Sequence, residues 1–271
     1  MLAALERGFN KFGIDFYLIG AVARDVWMRA INDLAPRRTT QDIDFAILIN
    51  KPGDYEALKD YLLHTEGFTG YKENAFVIRW KNRLEIDLMP FGAIEVDSKI
   101  KVNGPGFTSL HVPGFKEVYE SNLPEVELDD KQRFKFCSIP GIVMLKLLAW
   151  NDRPEHRSSD IQDITDILQN YLDMFMDDVF DNHLDLYDAE NEENDQSLKI
   201  AARVLGREVG IIARKNLQLV ERILTIFEKN TQNQADSPMA DIMARFTNTT
   251  VEQNVALLLK MKQGIEETAK P

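Results

Sequence analysis

Apolar and polar positions alternate most cleanly in "DIDFAILI" (42–49) and "RLEIDLMPF" (83–91), and that period of two predicts strands with one buried face. Around them, "FYLIG" (16–20) reads as a strand ending in a glycine turn, and "NAFVIRW" (74–80) as a strand joined to 83–91 through the turn 81–83. Helical patterning predicts helices over 2–12, over 21–34 ending near Pro36, and over 52–67, where Pro52 starts the helix and Gly67 stops it. The order β-α-β-α-β-β implies a mixed sheet carrying helices. Residues 92–113 are rich in Gly and Pro and read as surface loop, and "PEVELDDKQRFKFCSI" (124–139) as a second hairpin. From Pro140 onward the pattern is helical throughout. The chain is therefore expected to be α+β, with an N-terminal sheet domain over 1–137 and a mostly helical domain over 138–271.

In a strand, residues two apart project to one face about 7 Å apart along the chain. Asp42 and Asp44 thus point together, while Ile43, Phe45 and Ile47 face the core. In the second strand Leu84, Ile86 and Leu88 are core positions, and Glu85 and Asp87 lie opposite. If these strands are neighbours, three or four carboxylates converge, and such a cluster must bind a cation or keep a proton. Hard oxygen donors suit Mg²⁺, which takes one or two carboxylates together with substrate phosphates. A lone D-x-D pair reads more simply as a solvated strand face. The glycine turn changes the balance, because Gly20 ends a strand and opens a helix, a geometry that presents backbone N–H groups to phosphate. Arg24 follows one turn later, and Arg37 and Arg38 precede the aspartates.

Composition adds one correction to a first impression. The net charge of −12 argues against a general nucleic-acid binder, but residues 158–198 hold thirteen Asp and Glu and no Lys or Arg. Outside that window 32 basic residues face 31 acidic ones, so basic stripes remain available to an anionic substrate. The stretch 186–198 reads as an acidic loop or link. One cysteine, Cys137, leaves no internal disulfide, and no apolar run is long enough to span a bilayer, so the expectation is a cytoplasmic protein without a membrane partner. The four histidines are scattered and suggest no zinc site.

Glycine turn, helix, D-h-D strand and a third acid on a later strand together resemble the DNA polymerase β-like nucleotidyltransferase superfamily. "IGAVARD…DIDFAI" is similar to the G-G-x-x-R-D…D-I-D signature of tRNA CCA-adding enzymes, with Ala21 where the second glycine stands. "IPGIVMLKLLAWNDRPEHRSSDIQDITDIL" (139–168) resembles the K-L-x-A…R…(K/R)-D-x-x-D segment of AbiEii/AbiGii-type nucleotidyltransferases, which include toxins of type IV toxin–antitoxin systems. Ser159 takes the place of that family's basic residue. The resemblance covers roughly 17–168 and implies a nucleotidyltransferase-fold domain followed by a helical one. It implies transfer of a nucleoside monophosphate from an NTP, with Mg²⁺ on Asp42, Asp44 and Asp87. It also implies NTP contacts from Gly20, Ala21, Arg24, Lys146 and Arg153, and catalytic roles for Lys146, Asp160 and Asp163 beside the three metal-binding aspartates.

The residues of the second half carry their own argument. Lys146 sits in the apolar run "IVMLKLLAW", where an ammonium needs a carboxylate or phosphate unless its stem snorkels to the surface. Arg153 follows two turns later, nearly on the same face, before Pro154 breaks the helix. Ser159 and Gln162 form a capping-box pattern for the next helix, which would place Asp160 in a first turn that favours negative charge in any case. Trp80 and Trp150 read as core, Trp80 also as a possible stacking platform, and Cys137 as a small buried hydrophobe.

The resemblance favours RNA, especially a tRNA 3′ end, as acceptor, with basic segments at Arg29/Arg37/Arg38, Lys72–Arg83, Lys99/Lys101 and Lys131–Lys135. A small molecule such as an aminoglycoside is the alternative acceptor. A non-catalytic NTP- or partner-binding module, such as a neutralised half of a toxin–antitoxin pair, is the alternative of another class. A cognate antitoxin is the further partner the resemblance implies.

Overall fold

The computed structural model describes residues 1–34, 42–97, 99–127, 133–187, 196–233 and 236–269. Pro36, Arg37, Arg38, Lys131 and most of the acidic 186–198 stretch lie outside the described residues. The chain divides into two units, Met1–Ser138 and Ile139–Pro271.

The first unit is built on a five-stranded sheet. Its strands are β1 (Asp15–Ile19), β2 (Asp42–Ile49), β3 (Phe68–Gly70), β4 (Val77–Trp80) and β5 (Leu84–Gly92), in the spatial order β1-β2-β5-β4-β3. Only β2 and β5 pair in parallel, and the other neighbours are antiparallel. The alternation read from the sequence decides the faces. Phe45, Ile47, Ile86 and Leu88 are buried on one side, where Phe9 of helix α1 (Leu2–Phe12) meets Phe16 at 4.3 Å and Phe45 at 6.3 Å between ring centroids. Helix α3 (Asp54–His64) joins α1 through Gly8, whose missing side chain leaves room for Leu58 and Leu62. On the other side, one half of the sheet packs Tyr17 and Phe91 against Phe115 and Tyr119 of the short helix α4 (Phe115–Tyr119). The other half of that face carries the aspartates.

Three segments depart from the sequence reading. The helix expected over 21–34 is instead α2 (Gly20–Asp25) followed by a π-helical segment, Val26–Ile31. Trp27 donates from its indole N–H to the Cys137 carbonyl at 2.9 Å, and Asn32 donates to the Trp27 carbonyl at 2.8 Å, so side-chain bonds hold this stretch. The loop expected over 92–113 contains a short hairpin, β6 (Lys99–Lys101) with β7 (Ser109–His111). Strand β3, too short to show a period, forms the sheet edge. The hairpin in 124–139 is present as β8 (Glu125–Glu127) and β9 (Arg133–Lys135).

Among its described residues the second unit holds helices and the turns between them, and no strand. Helix α5 (Ile139–Asp152) is apolar on nearly every side and buries Ile142, Val143, Met144, Leu147, Leu148 and Trp150, as a central helix must. Helix α6 (Ser158–Asn182) bends at Phe175, whose φ of −133° is not helical. Helices α7 (Gln196–Ala213) and α10 (Val251–Thr268) touch backbone to backbone. A Cβ on Gly206 would lie 2.1 Å from the Met261 carbonyl oxygen, and one on Gly264 2.1 Å from that of Arg203. Between α7 and α10 in sequence, α8 (Leu217–Thr231) is capped by Asn216 and α9 (Pro238–Thr247) by Ser237. A capping box of Thr250 and Gln253 starts α10.

Candidate active site

In the first unit the site grows from the start of two parallel strands. Register places Asp42 beside Glu85 and Asp44 beside Asp87. All four project from the sheet face opposite Phe45 and Ile86. Glu85 has a fixed partner: Arg79, its cross-strand neighbour on β4, reaches it at 2.5 Å. Asp42, Asp44 and Asp87 are the group the sequence indicated, with Asp42 exposed and the other two half-buried.

Gly20 stands where β1 hands over to α2. Its φ of +69° lies in the left-handed region, and a Cβ there would fall 2.0 Å from Asp44 Oδ2. Both constraints require glycine, and both follow from one arrangement: the Asp44 carboxylate is turned onto the backbone of the turn. Among the described residues no three Asp, Glu, His or Cys side chains are drawn into a ready-made metal cage. The donor set nevertheless fits a hard divalent cation, since two carboxylates face each other in register and a third follows on the same face.

Ala21 is half-buried in the first turn of α2. Arg24 lies in the interior at 1% exposure, with Nε and Nη2 donating to Asp25 Oδ1 at 3.0 and 2.7 Å. Arg24 is thus enclosed within the first unit, one turn past the glycine turn.

The second unit gathers the other predicted residues except Arg153. Lys146 Nζ lies 2.9 Å from Asp160 Oδ1 and 2.8 Å from Asp163 Oδ2, with all three side chains buried. Burial by itself would lower the Lys146 pKa; the two carboxylates outweigh it and hold the ammonium above its ordinary value. Of the two fates open to this lysine, pairing is the one realised, and its stem does not snorkel. Arg157, which the sequence reading passed over, reaches Asp160 Oδ2 at 3.2 Å from three residues earlier. Its signal was present in "RSSD", an i,i+3 basic–acidic pair at a helix start. The expected Ser159–Gln162 capping box is absent, because the helix begins two residues earlier, after Arg157, and no side chain caps it. Asp166, the third aspartate at this spacing, is buried too. Arg153 lies beyond the end of α5 and is exposed.

The remaining expectations resolve simply. Trp150 is core. Trp80 points away from the aspartate face and packs on Phe68 at 4.8 Å. Cys137 is fully buried, which pushes its thiol pKa well up and removes it as a nucleophile. No helix among the described residues is long and apolar enough to cross a membrane.

A D-x-D strand thus pairs in parallel with a third aspartate and is entered from a glycine turn, the arrangement that the sequence resemblance implied. The model of the family "Nucleotidyl transferase AbiEii toxin, Type IV TA system" matches residues 3–248, so the chain belongs to that family and is a nucleotidyltransferase. Among solved structures, the solution structure of the antibiotic-resistance factor ANT(2'')-Ia aligns at a TM-score of 0.38 and 12% identity, covering 82% of this chain and 93% of the other. No curated protein sequence matches.

Proposed function

We propose that the protein transfers a nucleoside monophosphate from an NTP to a hydroxyl of RNA, with a tRNA 3′ end as the favoured acceptor. The observation that carries this reading is the register of Asp44 with Asp87, two residues from Asp42 and against the Gly20 turn. Asp42, Asp44 and Asp87 would hold Mg²⁺, which would supply charge neutralisation of the triphosphate and a lowered pKa for the acceptor hydroxyl. The backbone N–H groups at Gly20 and Ala21 receive phosphate oxygens. Asp87 takes the hydroxyl proton. The hydroxyl oxygen then bonds to the α-phosphorus, the bond from that phosphorus to the bridging oxygen breaks, and pyrophosphate departs. In the second unit, Asp160 and Asp163 hold Lys146 charged and oriented, and Arg153 stands exposed past the end of α5. The family name supports a toxin role with a cognate antitoxin.

The test is transfer of label from each of four α-labelled NTPs to total tRNA, with and without Mg²⁺, beside a panel of aminoglycosides. Label in RNA that depends on Mg²⁺ supports the reading. Label confined to the small molecules overturns the RNA acceptor.

A further inference from the structure

The aspartate face does not stop at the aspartates. Register carries the Asp44–Asp87 row on to Val77 of β4. The neighbouring row runs Asp42, Glu85, Arg79, Thr69, and Tyr71 follows β3 one residue past its end. Three strand spacings, about 14 Å, separate β2 from β3. At that sheet edge the Arg79 guanidinium carbon lies 4.0 Å from the Tyr71 ring centroid. Arg79 is held flat by Glu85, and the Tyr71 hydroxyl donates to Glu73 at 3.0 Å. The result is a cation–π pair, tied at both ends and partly open to solvent, with Arg79 on the face that bears the candidate metal ligands.

Cations surround this pair. Lys72 is exposed beside Tyr71, and Lys81 and Arg83 are exposed on the turn that leads into Glu85. Lys81 is held at φ +51° and Asn82 at φ +57°, the left-handed region. Asn tolerates that region, whereas a lysine there costs about 1 kcal/mol. Lys81 Nζ lies 5.9 Å from the Trp80 ring centroid.

We propose that Tyr71, Arg79, Lys81 and Arg83 form the track for the acceptor strand: a single-stranded RNA 3′ end whose terminal hydroxyl reaches Asp87 while an upstream base stacks on Tyr71 and Arg79. Stacking on an aromatic–guanidinium platform beside basic residues is the chemistry that binds single strands without reading their sequence. Glu85 already neutralises Arg79, so attraction for the phosphates comes from Lys72, Lys81 and Arg83. The proposal rests on the RNA-acceptor reading above.

The experiment compares wild type, Tyr71→Ala, Tyr71→Phe and Lys81→Ala/Arg83→Ala in full-length protein, measuring KM for tRNA, KM for NTP, and direct binding of a fluorescent single-stranded RNA against salt. Tyr71→Ala raises the tRNA KM by roughly ten- to hundredfold and leaves the NTP KM unchanged, while Tyr71→Phe retains near wild-type values. The double variant lowers the slope of log affinity against log salt by about 1.4. A wild type that labels tRNA, with Tyr71→Ala at an unchanged tRNA KM, overturns the track and spares the function. A wild type that neither labels nor binds RNA overturns both.

Discussion

The two units hold the same kind of residue under opposite conditions. In the first, Asp42, Asp44 and Asp87 stand on an open sheet face at the start of β2 and β5, in partial contact with solvent. In the second, Asp160 and Asp163 are buried around the Lys146 ammonium, which each approaches within 3 Å. Carboxylates in partial contact with solvent keep part of their hydration. Carboxylates enclosed with a lysine have already spent their charge on each other, and removing one partner strands the rest. The first set meets solvent in part, whereas the second keeps a positive charge fixed.

The sharpest way to break that comparison is Lys146→Met. It leaves two buried aspartates without their ammonium and is expected to cost about 3–5 kcal/mol, read by urea unfolding. Replacing all three residues together, Lys146→Met/Asp160→Leu/Asp163→Leu, should recover most of that stability while transfer stays lost. Recovery of activity as well would make the cluster purely structural. The pH dependence has a definite sign. The pKa of Lys146 is raised on folding, so its contribution is complete below the unfolded value and disappears only as pH climbs through the folded one. This cluster should therefore contribute no change in stability between pH 7 and 9, measurable as the difference between wild type and the triple variant. A loss across that interval would mean that the ammonium is not held as described.

Gly20→Ala probes the open set. The left-handed φ costs roughly 1 kcal/mol, and the new methyl must displace the Asp44 carboxylate, a movable side chain. Activity should fall far more than stability does, by kcat with the melting temperature lowered only a few degrees. Equal losses would make the glycine a matter of folding alone. The smallest effect belongs to Arg153→Ala. An exposed arginine contributes within about 0.5 kcal/mol to stability, so a raised KM for NTP at unchanged Tm would place it on the phosphates. An unchanged KM would remove it from the site.

Much of the open set was legible because strand alternation is a strict code. Asp42 and Asp44 had to share a face, and the core positions of 42–49 and 84–88 fixed which one. The glycine turn was legible as well, although its second reason, the approach of Asp44, needed coordinates. What stayed hidden depends on contacts distant in sequence. That Arg24 is interior cannot be read from a charged residue on a short helix. Glu85 could be separated from the other carboxylates only once β4 was seen to place Arg79 opposite it. The π-helical segment is held by a bond from Trp27 to a carbonyl 110 residues away. In the second unit Lys146 announced its need for a partner, but the part played by Arg157 depended on where α6 begins, and helix ends are the least certain feature of any sequence.

The central claim is that the Asp44–Asp87 row performs nucleotidyl transfer. The most direct measurement is transfer from α-labelled NTP to tRNA by wild type, Asp44→Asn and Asp87→Asn at matched folded concentration, with unfolding curves taken alongside. The account predicts that both variants fold as wild type does and lose at least about a hundredfold in transfer. Undiminished transfer by both folded variants would contradict it and move the chemistry elsewhere in the chain.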